Sequence, residues 1–93
     1  MDDKTAFVKW MVADFIINRD DDWKDKIGDE QFFNGVADAA KIVWFCKTLQ
    51  NWKCLAINFE YAPYNYFEIT HNGDKTETYL DAYAKTANKV YRG

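Results

Sequence analysis

The apolar positions between about Asp3 and Asn18 run almost all the way round a helix. At about 100° per residue, Phe7, Val8, Met11, Val12, Phe15 and Ile16 form one broad stripe. Ala6, Trp10, Ala13 and Ile17 form a second on the other side, and only Lys9 and Asp14 interrupt the circumference. A surface helix of a soluble monomer keeps a polar half. This one therefore needs cover on two sides, either by being sandwiched between other elements or by meeting another molecule through its second stripe.

The next helix has clearer punctuation. Asp29 can cap its N-terminus, Glu30 suits the first-turn dipole, and Phe32, Val36, Ala39, Ala40, Val43 and Cys46 keep helical period to about Gln50. From Trp52 the period falls to two, with Leu55, Ile57, Phe59 and Tyr61 alternating against Cys54, Ala56, Asn58 and Glu60. A second strand follows from about Tyr64 to His71, joined to the first through the only proline, Pro63. Beyond it two local signals compete. Asn72-Gly73 is a hairpin turn that would return Lys75 to Tyr79 as a third strand, whereas Asp74 with Glu77 resembles the start of a helix. In either case the stripe of Tyr79 or Leu80, Tyr83, Ala87, Val90 and Tyr91 predicts a closing helix to about Tyr91. The expected order is α-α-β-β-(β)-α: one α+β domain over residues 1–93, with a two- or three-stranded antiparallel sheet packed against helices.

A chain of 93 residues should have a radius of gyration of about 12 Å and expose about 5,600 Å² when folded. Its aromatic content, 18 %, excludes disorder and can be absorbed largely by the core. The net charge of −3 comes from 12 basic and 15 acidic residues, with no basic run. Direct nucleic-acid binding is therefore not expected, because neutralised phosphates supply most of such affinity. The longest single-sign cluster is acidic, Asp20-Asp21-Asp22, followed by Asp25, Asp29 and Glu30 with Lys24 and Lys26 between them. It reads as a solvated loop leading into the second helix or as an anionic patch for a basic partner. No apolar run approaches the about 20 residues needed to span a membrane, and Met1-Asp2-Asp3-Lys4 lacks the features of a secretory leader. A cytoplasmic location is expected, with Cys46 and Cys54 reduced.

No catalytic constellation emerges. His71 is the only histidine and lies beside a turn, the spacing of the two cysteines does not suit zinc, and no phosphate loop or nucleophile elbow occurs. No enzyme activity, metal or cofactor is expected. The segment from Phe59 to Phe67 is the best working surface, since Tyr61, Tyr64 and Tyr66 offer large rigid contact areas with a polar tip. The same tyrosines could instead pair across the hairpin and merely stabilise it.

In size, acidity and lack of a catalytic set, the chain is similar to small phage or plasmid proteins that inhibit larger host enzymes, anti-CRISPR and other anti-defence proteins among them. Immunity proteins for toxins share the profile, which covers no motif. The resemblance implies binding to a larger protein, such as a nucleic-acid-handling enzyme. Asp20, Asp21, Asp22 and Asp25 would meet its basic groove, and Tyr61, Tyr64 and Tyr66 would anchor the contact. The alternative is a homo-oligomeric structural or accessory protein, a homodimer for instance, associating through Trp10 and Ile17 on helix 1.

Overall fold

A computed structural model describes residues 3–19, 21–87 and 89–92. Helix α1 spans Asp3–Arg19, a short 3₁₀ helix, η1, spans Asp21–Lys26, and α2 spans Glu30–Ala39. Four strands follow: β1 Lys41–Thr48, β2 Asn51–Asn58, β3 Ala62–Asn72 and β4 Glu77–Ala84. They form one antiparallel meander in the order β1-β2-β3-β4. The domain is α+β as expected, but the sheet has four strands rather than two or three, and among the described residues no closing helix forms: Glu77–Ala84 is a strand instead. Among the described residues no helix is long and apolar enough to cross a membrane.

Helix α1 is covered by the sheet and by α2 and η1 over most of its length, while Ala6, Phe7 and Trp10 stay exposed. The helix lies on one face of the sheet, against β1, β2 and β3, and is flanked by α2 and η1. Val8, Val12, Ala13, Ile16 and Ile17 are buried, and Phe15 meets Phe67 of β3 edge to face at 6.0 Å. The inner face of the sheet supplies Cys54 and Ala56 from β2 and Phe67 and Ile69 from β3, all buried. Register sets Cys54 opposite Ile69 and Ala56 opposite Phe67, so one side of each strand alternation goes to the core.

Helix α2 begins where the sequence places it, with the Asp29 carboxylate accepting from the Phe32 amide at 3.0 Å. It ends eleven residues earlier than the periodicity suggests, because Ala40 adopts extended geometry and donates to the Ala37 carbonyl. The residues beyond it, Ile42-Val43-Trp44-Phe45, are β-branched and aromatic, types that fit a pleated surface better than a helix interior. Val43 and Cys46 sit at helical spacing from Val36 and Ala39, but pairing with β2 decides the conformation. Cys46 is consequently on a strand.

The same competition is settled the same way at the C-terminal end. Glu77, Tyr79, Asp81 and Tyr83 alternate with Thr78, Leu80 and Ala82, a period of two hidden beneath a helical stripe. The ladder with β3 runs from Asn72 opposite Glu77 to Asn65 opposite Ala84. The returning strand thus begins at Glu77 rather than Lys75, after a loop in which the Asn72 side chain accepts from the amides of Asp74 and Lys75. Thr76 takes φ +52° there.

Two features fix the turns. At the helical end, Asn58 is buried; its amide donates to the Val36 carbonyl at 2.9 Å and its oxygen accepts from the Tyr61 amide at 3.2 Å. The last turn of α2 leaves that carbonyl without a helical donor, so Asn58 ties it to the β2–β3 turn. At the opposite end the β1–β2 and β3–β4 turns touch. The Gly73 amide donates to the Asn51 side chain at 2.8 Å, and a Cβ on Gly73 would lie 2.4 Å from the Gln50 carbonyl oxygen.

Three stability changes should follow in urea titrations. Asn58→Leu leaves the Tyr61 amide and Val36 carbonyl unpaired and should cost about 2 kcal/mol. Gly73→Ala should destabilise by forcing the two turns apart. Leu49, at φ +57° in the two-residue β1–β2 turn and exposed, should give about 1 kcal/mol of added stability when changed to Asn.

Candidate binding surface on the open sheet face

The helices cover one face of the sheet and leave the other open. Register places four rows across that open face. The first joins Lys41, Ile57, Tyr66 and Tyr83; the second Trp44, Leu55, Glu68 and Asp81; the third Cys46, Lys53, Thr70 and Tyr79. Thr48, Asn51, Asn72 and Glu77 complete the fourth, beside the touching turns. Trp44 and Tyr66 are 48 % and 44 % exposed, while Leu55 and Ile57 are half-buried between them. The result is a continuous apolar band from Trp44 to Tyr83.

Polar groups frame the band. Lys53 pairs with Glu68 at 3.3 Å across β2 and β3, half-exposed at the centre of the face. Tyr66 and Tyr83 stack at 4.9 Å with their planes 11° apart. Glu68 and Asp81 beside Tyr83 hold its hydroxyl above the ordinary phenol range, and the Glu77 carboxylate that accepts from Tyr79 does the same there. Both phenols are therefore neutral donors at physiological pH. Beyond the salt bridge the face dips into a depression of about 410 Å³ lined by Trp44, Cys46, Thr48, Asn51, Lys53 and Thr70.

The residues singled out from sequence do not converge. Asp21, Asp22 and Asp25 are exposed on η1, in the helical layer, and Asp20 lies outside the described residues. Tyr61 packs between Trp23 of η1 and Phe32 of α2, at 5.8 and 5.6 Å, so it is structural cement rather than an anchor. Tyr64 is 70 % exposed in residues 63–65, where β3 bulges out of its ladder with β2. That bulge accommodates Pro63 within a strand. By the β3–β4 register Tyr64 stands on the same face of β3 as Tyr66, but beyond the end of the band, where the Lys85 amide donates to its carbonyl.

Trp10 and Ile17 line one groove but differ in exposure. Ile17 is 3 % exposed and belongs to the core, whereas Trp10 is 51 % exposed and packs beside Phe7 and Phe33. The groove, of about 330 Å³, lies between α1 and the start of α2 and is also lined by Asp14, Ile27 and Phe33. His71 is more embedded than a turn histidine should be. It stacks on Trp52 at 5.2 Å and its Nδ1 lies 2.8 Å from the Thr78 hydroxyl. Trp44 and Tyr83 were missed because each was assigned to a helix; strand alternation over 77–84 was the signal that could have found Tyr83.

The chain belongs to the DUF6275 family. The family model, described as a family of unknown function, matches residues 11–93 and so includes most of α1 and the whole sheet. No curated protein and no solved structure matches the chain. Among the described residues no group of three or more His, Cys, Asp or Glu side chains is placed to hold a metal ion.

The cysteines report on the two faces. Cys46 is exposed on the open face and Cys54 is buried on the inner one, so both are free thiols that point to opposite sides. Burial pushes the Cys54 thiol from 9.0 up to about 11. The folded state then holds a proton that the unfolded chain releases, and stability must fall as pH rises from 9 to 11. Urea midpoints should drop over that window and drop less in Cys54→Ala. In thiol titration of the native protein, Cys46 should react at once and Cys54 only on unfolding.

Proposed function

We propose that the chain is a protein-recognition module without catalytic chemistry of its own, offering the open face of its sheet to a larger partner. The observation that carries this reading is the band formed by Trp44, Leu55, Ile57, Tyr66 and Tyr83 with no layer over it. Aromatic side chains that are half-exposed on a rigid sheet make inexpensive anchors, because little side-chain freedom is lost when a partner covers them. The exposed area supports the reading too. At 6714 Å² it exceeds by roughly a fifth the area expected for a monomer of this mass. The radius of gyration, 14.5 Å, exceeds the expected value as well.

A protein partner suits the face better than a nucleic-acid strand. Lys41 and Lys53 are outnumbered there by Glu68, Glu77 and Asp81, whereas single-strand grooves are basic. The central Lys53–Glu68 pair could fix orientation by exchanging partners with a charged pair opposite.

A second reading is favoured by the exposure of Asp21, Asp22 and Asp25 along one short helix. There the chain would act as an inhibitor of the mobile-element kind, docking η1 in the basic groove of a nucleic-acid-handling enzyme. The two readings use different surfaces and separate cleanly.

Tagged wild-type protein should retain a stoichiometric partner from nuclease-treated host lysate, identified by mass spectrometry. Tyr66→Ser with Tyr83→Ser should weaken that binding by about 2 kcal/mol or more while leaving the circular dichroism unchanged. Undiminished binding by the double variant, or recovery of no other protein, overturns the proposal. Replacing Asp21, Asp22 and Asp25 with Ser should leave the sheet-face interaction intact; loss of salt-dependent association in that variant instead would select the second reading.

A further inference from the structure

The sheet is graded in charge from one edge to the other. Strand β1 carries Lys41 and Lys47 and no acid, β2 carries Lys53, β3 carries Glu68, and β4 carries Glu77 and Asp81 and no base. The edges are therefore of opposite sign. Both are eight residues long, and neither is paired to a further strand.

We infer that the chain assembles with copies of itself head to tail, β1 of one copy pairing with β4 of the next. The meander makes this pairing antiparallel. β1 and β4 run in opposite directions, so a copy displaced sideways, with its helices on the same side, sets β4 beside β1 in the ladder type already used within the chain. Unpaired strand edges are templates for such addition. Charged side chains usually guard an edge by repelling its own copies, but a positive edge and a negative edge attract.

Two-fold pairing is disfavoured by the same charges. Two β4 strands crossing at Tyr79 would set Glu77 of one against Asp81 of the other, and two β1 strands would gather Lys41 and Lys47 of both copies at one uncompensated seam, Lys41 on the open face and Lys47 on the helical one. Apolar side chains also stand unfinished at both edges on the helical side. Phe45 of β1 is 43 % exposed although stacked on Trp52, and Leu80 of β4 is only half-buried against the core. Joining the edges would bring these two residues to one seam. Because the contact uses different patches on each copy, it yields a ring or an open array of three or more copies rather than a closed dimer. It leaves the open face accessible, and it is independent of the recognition proposed above.

Sedimentation velocity of the full chain over a concentration series tests this. Wild type should form species of three or more copies that disperse at high salt. Lys41→Glu with Lys47→Glu, and separately Glu77→Lys with Asp81→Lys, should each raise the concentration for half-assembly by at least about tenfold, since attraction becomes repulsion. All four residues are exposed, and circular dichroism checks that each variant folds. Mixing the two variants should restore assembly, because each then supplies the edge the other lacks. Lys41→Gln with Lys47→Gln should give a smaller loss in the same direction. A wild type that stays monomeric to its solubility limit overturns the inference. So does a dimer that grows no further, assembly indifferent to the reversals, or a mixture that fails to reassemble.

Discussion

A single layer of helices against a four-stranded sheet is the constraint from which the rest follows. A helix of 17 residues is about 25 Å long, and here it lies against β1, β2 and β3 on one face. With α2 only ten residues long, and no helix after β4 among the described residues, the second face is left uncovered by them. The apolar side chains on that face are consequently an obligatory feature of the architecture. Their number and their aromatic character are what support the proposal that this face serves recognition.

The contact between α1 and the sheet depends on small and branched residues meeting. Cys54 and Ala56 keep β2 low beneath the helix, while Val8, Val12, Ala13 and Ile16 pack above, all essentially without exposure. Phe15 and Phe67 close one side of the contact, and the Trp23, Phe32 and Tyr61 rings close the other, by way of η1. Aromatic residues in this chain thus divide between two tasks. Tyr61 and Tyr66 are five residues apart in sequence, yet one fills the helical layer and the other stands on the open face.

Charge is distributed with similar economy. Along the chain acids and bases look evenly mixed, but within the sheet they are sorted: Lys41, Lys47 and Lys53 lie on β1 and β2, Glu68, Glu77 and Asp81 on β3 and β4. In a meander the order of strands in sequence is also their order in space, so a gradient along residues 41–84 becomes a gradient across the sheet. The Lys53–Glu68 bridge sits where the sign changes.

Local signals were sufficient wherever only one conformation could use them. Asp29 announced the start of α2, alternation from Trp52 announced β2, and the near-uniform apolarity of α1 announced its cover by more than one neighbour, the sheet on one side and α2 and η1 on the other. The α+β class followed from these. Residues 41–48 and 77–84 each satisfy a helical and a strand pattern at once, and the β-branched and aromatic run at 42–45 and the alternation over 77–84 lean towards strand without overruling the helical spacing on their own. The choice came from partners distant in sequence: β2 and β3 each had an edge whose amides and carbonyls needed pairing, and a strand supplies them where a helix does not. That requirement exists only once the central hairpin has formed. It also decided which aromatic side chains reach solvent together, because the face a residue occupies is set by register with its neighbour, a quantity fixed by the assembled sheet and absent from the order of residues alone.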